Sequence, residues 1–160
     1  MDDILALILK DTYSLTQFKH RMRLLKSNLL RAFFGGQTEN LSPSTQDSNW
    51  LKSLPESFYQ KFNQENVYKI FSDLEKMSTG LPILTMYLTF EPDDVTLNQL
   101  GILTRKTFDS ISLLLDIKID PNLIAGTALS WKGVYKDYSL KAKIEEKRNE
   151  IAQGFKRFLR

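Results

Sequence analysis

Apolar residues recur along this chain with two periods, and the period changes near residue 80. Leu15, Phe18, Met22, Leu25 and Leu29 return at spacings of three and four, which predicts an amphipathic helix over LTQFKHRMRLLKSNLLRAFF. Ser14 is placed to cap its start and Gly35-Gly36 to end it. Ahead of it, DDILALIL (Asp2 to Leu9) reads as a short apolar helix with acids in its first turn. Residues 35–46 are Gly, Pro and small polar types around one Leu and read as a loop. Three short helical pieces follow: a turn with Trp50, Leu51 and Leu54 capped by Asp47 or Ser48, a second from Pro55 with Phe58, Tyr59 and Phe62, and Asn63 to Met77 with Val67, Ile70, Phe71 and Leu74.

Beyond Ser78-Thr79-Gly80 the period becomes two. Leu84, Met86, Leu88 and Phe90 alternate with Ile83, Thr85, Tyr87 and Thr89, so Leu81 to Phe90 is predicted to be a mostly buried strand. A helix opens at Pro92-Asp93-Asp94, with Leu97, Leu100, Leu103 or Thr104, and Phe108 on its buried side. Gly101 inside it lowers helicity by about 1 kcal/mol relative to Ala. In the next strand Leu113, Leu115, Ile117 and Ile119 take one face, and Leu114, Asp116, Lys118 and Asp120 the other. Asp120-Pro121 stops that strand, and Gly126 supplies unusual dihedrals before a strand from Thr127 to Trp131, with Thr127, Leu129 and Trp131 on one face. Lys132-Gly133 reads as a hairpin turn, and Val134 to Tyr138 as the returning strand. Asp137 or Ser139 then caps a last helix, Leu140 to Leu159, with Leu140, Ile144, Ile151, Phe155 and Phe158 near one face. The predicted class is α+β: a small all-helical N-terminal domain, 1–77, and a C-terminal domain, 78–160, with two helices flanking a small mixed sheet. The mixture follows from the connections, since a helix between strands allows a parallel pair and a two-residue turn demands an antiparallel one.

The ordered pattern Asp120-Pro121-x-Leu123-Ile124-x-Gly126, then Gly133, Asp137, Ser139 and a Lys-rich helix, resembles the C-terminal signature of the F-type ATP synthase delta subunit, whose mitochondrial counterpart is the oligomycin-sensitivity-conferring protein. The resemblance extends upstream through the strand at Leu81 to Phe90, about half the chain. Ala125 departs from it, standing where that family most often has the first glycine of a pair. The N-terminal half departs further. The family's six-helix bundle of about a hundred residues has only some 77 residues to correspond to here, and its tyrosine- and alanine-rich opening is missing. The resemblance implies a non-catalytic stator subunit whose N-terminal domain grips alpha-subunit N-terminal segments and whose C-terminal domain holds the b-subunit stalk.

Charge sharpens this picture. The net charge of +3 is unevenly spread: residues 1–34 carry six Lys/Arg against three Asp/Glu, residues 35–138 nine against thirteen, and residues 139–160 seven against three. A basic end suits an acidic protein surface, an anionic lipid or nucleic acid, and charge alone does not choose among them. A nucleic-acid adaptor is the alternative reading, with Phe155-Lys156-Arg157-Phe158 interleaving rings and cations as a stacking platform does. The acidic middle and the missing RNA-binding signature count against it.

Catalytic chemistry is sparse. Zero cysteines exclude disulfides and thiol catalysis. The single histidine, His20, sits in a basic helical run, and no phosphate-binding glycine loop or H-E-x-x-H helix occurs. Asp116, Asp120 and Asp137 suggest capping rather than a metal site. No cofactor is expected. The candidate partner-binding residues are Leu15, Phe18, Met22, Leu25 and Leu29 on the first basic helix and Ile151, Phe155 and Phe158 on the last. No apolar run reaches the roughly 18 residues of a membrane span, and the acidic start Met1-Asp2-Asp3 does not resemble a secretory or transit peptide. Taken with these features, the resemblance implies a peripheral location on the cytoplasmic face of a bacterial inner membrane.

Overall fold

A computed structural model describes residues 2–35 and 44–158, with Asp2 and residues 156–158 as backbone only. Residues 36–43 of the predicted loop, and Leu159 at the end of the last helix, lie outside the described residues. Helices α1 (Asp2–Leu9), α2 (Leu15–Phe34), α3 (Thr45–Ser53), α4 (Glu56–Tyr59) and α5 (Val67–Ser78) precede β1 (Ile83–Leu88), α6 (Asp94–Thr107), β2 (Leu114–Ile119), β3 (Thr127–Trp131), β4 (Val134–Asp137), α7 (Leu140–Glu146) and α8 (Arg148–Phe158). The fold is α+β, with the strands in one mixed sheet of order β2-β1-β3-β4.

In α2, Ser14 Oγ accepts from the Gln17 N–H, and Gly35 closes the helix in the left-handed region at φ 64°. Two sequence expectations shift in the next stretch. Neither Asp47 nor Ser48 caps α3: Ser44 does, in a reciprocal capping box with Asp47, so Thr45 and Gln46 are helical rather than loop. The helix expected from Asn63 begins only at Val67, because Asn63 Oδ1 accepts from the Glu65 and Asn66 N–H groups and Asn66 Oδ1 from that of Asn63. These side chains offer the backbone a turn in place of a first helical turn.

β1 pairs with β2 in parallel from Ile83↔Leu114 to Leu88↔Ile119, and with β3 antiparallel through Met86↔Leu129. β3 and β4 meet at Trp131↔Val134 across Lys132 (φ 49°) and Gly133 (φ 80°), a two-residue turn with both central residues left-handed. β1 is shorter than Leu81 to Phe90, and Phe90 lies exposed past its end. On one face of the sheet Leu84, Met86, Leu88, Leu113 and Leu115 pack with Leu97, Leu100 and Phe108 of the α6 segment and with Leu129 and Trp131. Of the two positions expected on α6's buried side, Thr104 is buried and Leu103 exposed.

Leu114, expected on the polar side of β2, is fully buried among the helices. The helical segment covers that face, so the start of β2 is buried on both sides and its alternation is broken there. Tyr13 and Ser14 extend the junction: the Leu115 N–H donates to Tyr13 O at 2.8 Å, and Ser14 pairs with Leu115 as an isolated parallel bridge. Arg105 of α6 fastens the same place. Its Nε donates to Leu113 O at 3.0 Å, Nη1 to Leu9 O at 3.0 Å, and Nη2 to Thr12 O at 2.5 Å. The guanidinium also lies 4.7 Å from the centre of the Tyr13 ring.

Candidate partner-binding site

Most residues of the C-terminal signature form one lock. Asp120 Oδ1 accepts from the Asn122 N–H at 3.0 Å and starts a single 3₁₀ turn, Pro121–Leu123, which Pro121 enters without losing a needed donor. Leu123 is buried. Ile124 then takes φ 67°, ψ −55°, and the Ala125 N–H reaches back to Leu123 O at 2.8 Å. That is a γ-turn of the rarer, strained hand, centred on a β-branched residue at a cost of order 1–3 kcal/mol. Ala125 is not among the described residues with positive φ, so alanine fits where a glycine is common in the resembled family.

Gly126 sits at φ 88°, and a Cβ there would come 2.9 Å from Tyr138 O and 3.2 Å from Ser139 Cα. The close approach lets the chain zip past itself: Tyr138 N–H donates to Thr127 O at 2.9 Å and Leu140 N–H to Ala125 O at 2.8 Å. Asp137 Oδ1 accepts from the Ser139 N–H at 2.8 Å, and hydrogen bonding from the Ser139 side chain, with this backbone bond, holds its carboxyl below the usual carboxylate range. Fully buried Ser139 accepts from Ala142 N–H and caps α7, so of the two expected caps Ser139 serves. Gly126, the caps and the proline thus root α7 against the sheet.

What grows from that root is left exposed by the described residues. The helix expected as one piece breaks for a single residue at Lys147 (φ −95°, ψ 8°), dividing α7 from α8. Leu140, Ile144, Ile151 and Phe155 remain 43, 42, 42 and 65% exposed, spaced to share one side across the break. Residues 148–155 of α8 are all exposed, with Arg148 and Glu150 among them. The side chain of Phe158, the third candidate on this helix, lies outside the described residues.

The other candidate set has the opposite fate. Phe18, Met22, Leu25 and Leu29 are buried in the helical core, with Leu15 packed against it, alongside Trp50, Leu51, Phe58, Phe71 and Leu74. The chain's own helices fill that stripe, so a partner helix has no access to it without opening the core. At the end of α2, Phe34 stays exposed and pairs with exposed Tyr68, ring centres 6.0 Å apart. Tyr68 carries no sequence signal, because one aromatic off the α5 stripe looks like any surface tyrosine.

The polar candidates resolve into local bonds. His20 Nε2 lies 3.0 Å from Asp47 Oδ2, tying α2 to α3. Burial pushes the Asp47 carboxyl up, but the hydrogen bonds from His20 and Ser44 outweigh it and hold the group below its usual range. Asp116 lies 3.8 Å from Lys118 Nζ, while Asp120 and Asp137 cap turns as described. Among the described residues no group of three or more His, Cys, Asp or Glu is arranged to hold a metal ion, and no helix is long and apolar enough to cross a membrane. Compared with known proteins, the chain matches no family model and no curated sequence.

Proposed function

We propose that this chain is a delta-type stator subunit of an F-type ATP synthase, a non-catalytic tether between the alpha/beta hexamer and the b-subunit stalk. The observation that carries the reading is the ordered signature from Asp120 to Ser139, in which Asp120, Pro121, Leu123, Gly126, Asp137 and Ser139 each have a structural task in one lock and Gly133 turns the hairpin at its far end. From this lock projects a basic helix with an uncovered apolar side. A tether resists torque, so it needs a rigid root at one interface and a stiff connection to the other. The C-terminal helix is the stalk-facing element, and its seven Lys/Arg against three Asp/Glu over residues 139–160 complement an acidic stretch of a stalk helix. The alpha-subunit contact belongs to the helical half, where Phe34 and Tyr68 are the open aromatic pair. Membrane association is indirect, through the assembled complex on the cytoplasmic face of a bacterial inner membrane.

The test is deletion of residues 148–160 in the assembled complex. ATP hydrolysis by the head persists and ATP-driven proton pumping into vesicles falls away. Pumping at the wild-type rate with the truncated chain in place contradicts the proposal.

A further inference from the structure

Ile124 is the one β-branched residue among the described residues with positive φ, and its side chain is 60% exposed. Nothing in the lock itself calls for an isoleucine there. Leu123 fills the buried position beside it, Ala125 makes the backbone bonds to Leu123 and Leu140, and glycine would take the same dihedrals without strain. A strained backbone that turns a large apolar group outward is a feature that folding alone does not reward. Its place is telling, because Ala125 O receives the Leu140 N–H, so Ile124 stands one residue from the root of α7. The exposed side of that helix continues through Leu140, Ile144, Ile151 and Phe155.

We infer that Ile124 is a specificity anchor for the stalk, the fixed end of an apolar stripe that runs from the lock along α7 and α8. This rests on the stator reading above. The occupant is an amphipathic helix with an acidic border, argued from the excess of seven Lys/Arg over three Glu, Glu145, Glu146 and Glu150, in residues 139–160. Most of the stripe lies on exposed helices beyond the root, whereas Ile124 is held by the lock. A rigid anchor keeps more of its contact energy on binding than a side chain that must first be ordered.

The experiment compares wild type, Ile124→Gly, Ile124→Ala and Ile124→Val by thermal melting and by affinity for the soluble part of the b-subunit from the same source. Ile124→Gly is expected to melt no lower than wild type, since it relieves the γ-turn, yet to bind roughly tenfold more weakly. Ile124→Ala loses a similar amount of affinity, and Ile124→Val recovers most of it. Unchanged affinity in Ile124→Gly, or a Tm well below wild type in that variant, overturns the anchor while leaving the stator reading standing. Failure of the wild-type chain itself to bind the b-subunit overturns both.

Discussion

At the scale of single residues, Gly101 shows how a propensity argument can have the wrong sign. By helix propensity alone Gly101→Ala gains about 1 kcal/mol. A Cβ at this site, however, would sit 2.4 Å from both Cβ and Cδ1 of Tyr13, which is the root of that side chain and is held by Arg105. Overpacking of this kind costs about 1–3 kcal/mol, so Gly101→Ala is expected to lower stability by about 1–2 kcal/mol in urea titration. Asp47 gives a second residue-scale prediction. A carboxyl depressed in the folded state contributes stability that is present above its unfolded pKa and lost as pH falls through its folded one. Asp47→Asn therefore flattens the acid limb of a Tm-against-pH curve and lowers Tm at neutral pH, where His20 and Ser44 lose their carboxylate partner. The sequence carried the turn residues well, because Asp, Pro, Gly and Ser act through their own backbones. It did not carry the reason for Gly101, which lies in a residue 88 positions away by number.

At the scale of elements, alternation and helical spacing placed every strand and most helices, and they failed where two parts of the chain meet. β2 looked half-polar from Leu114, Asp116 and Lys118, yet Leu114 is buried because the helical segment covers that end of the sheet. The stripe on α2 read as a candidate partner-binding face, and the core takes it up. Those errors share a cause: periodicity reports that a face is covered, without saying by what. The last helix is the complement, an apolar side that this chain leaves open. Since residues 148–155 are exposed throughout, deletion of 148–160 is expected to shift Tm by no more than about 1 °C in thermal melting. A large drop would place α8 on the core instead. An isolated helix of this length is marginal in water, which fits an element completed by a partner.

At the scale of the molecule, the helical and sheet halves are joined by Leu114, buried in the helical core, by the Leu115 N–H bond to Tyr13 O, and by one guanidinium. Arg105 ties carbonyls of Leu9, Thr12 and Leu113, which come from the end of α1, the turn into α2 and the start of β2. Burial lowers the pKa of this group, but a guanidinium stays charged throughout the working range. Arg105→Lys keeps the charge and loses the fork, and is expected to cost about 2–4 kcal/mol while reducing the cooperativity of unfolding between the halves. Circular dichroism and tyrosine fluorescence read that loss as transitions that no longer coincide. In the proposed stator such a joint would matter, because torque applied at one interface reaches the other only through contacts that do not yield.

The central claim, a stator that links the catalytic head to the b-subunit stalk, is tested most directly by affinity purification of the tagged chain from gently solubilised membranes, with the co-purifying chains identified by mass spectrometry. Recovery of alpha, beta and b subunits, with b lost from the variant lacking 148–160, is the result predicted. Recovery of nucleic acid, or of soluble proteins without any ATP synthase subunit, contradicts it.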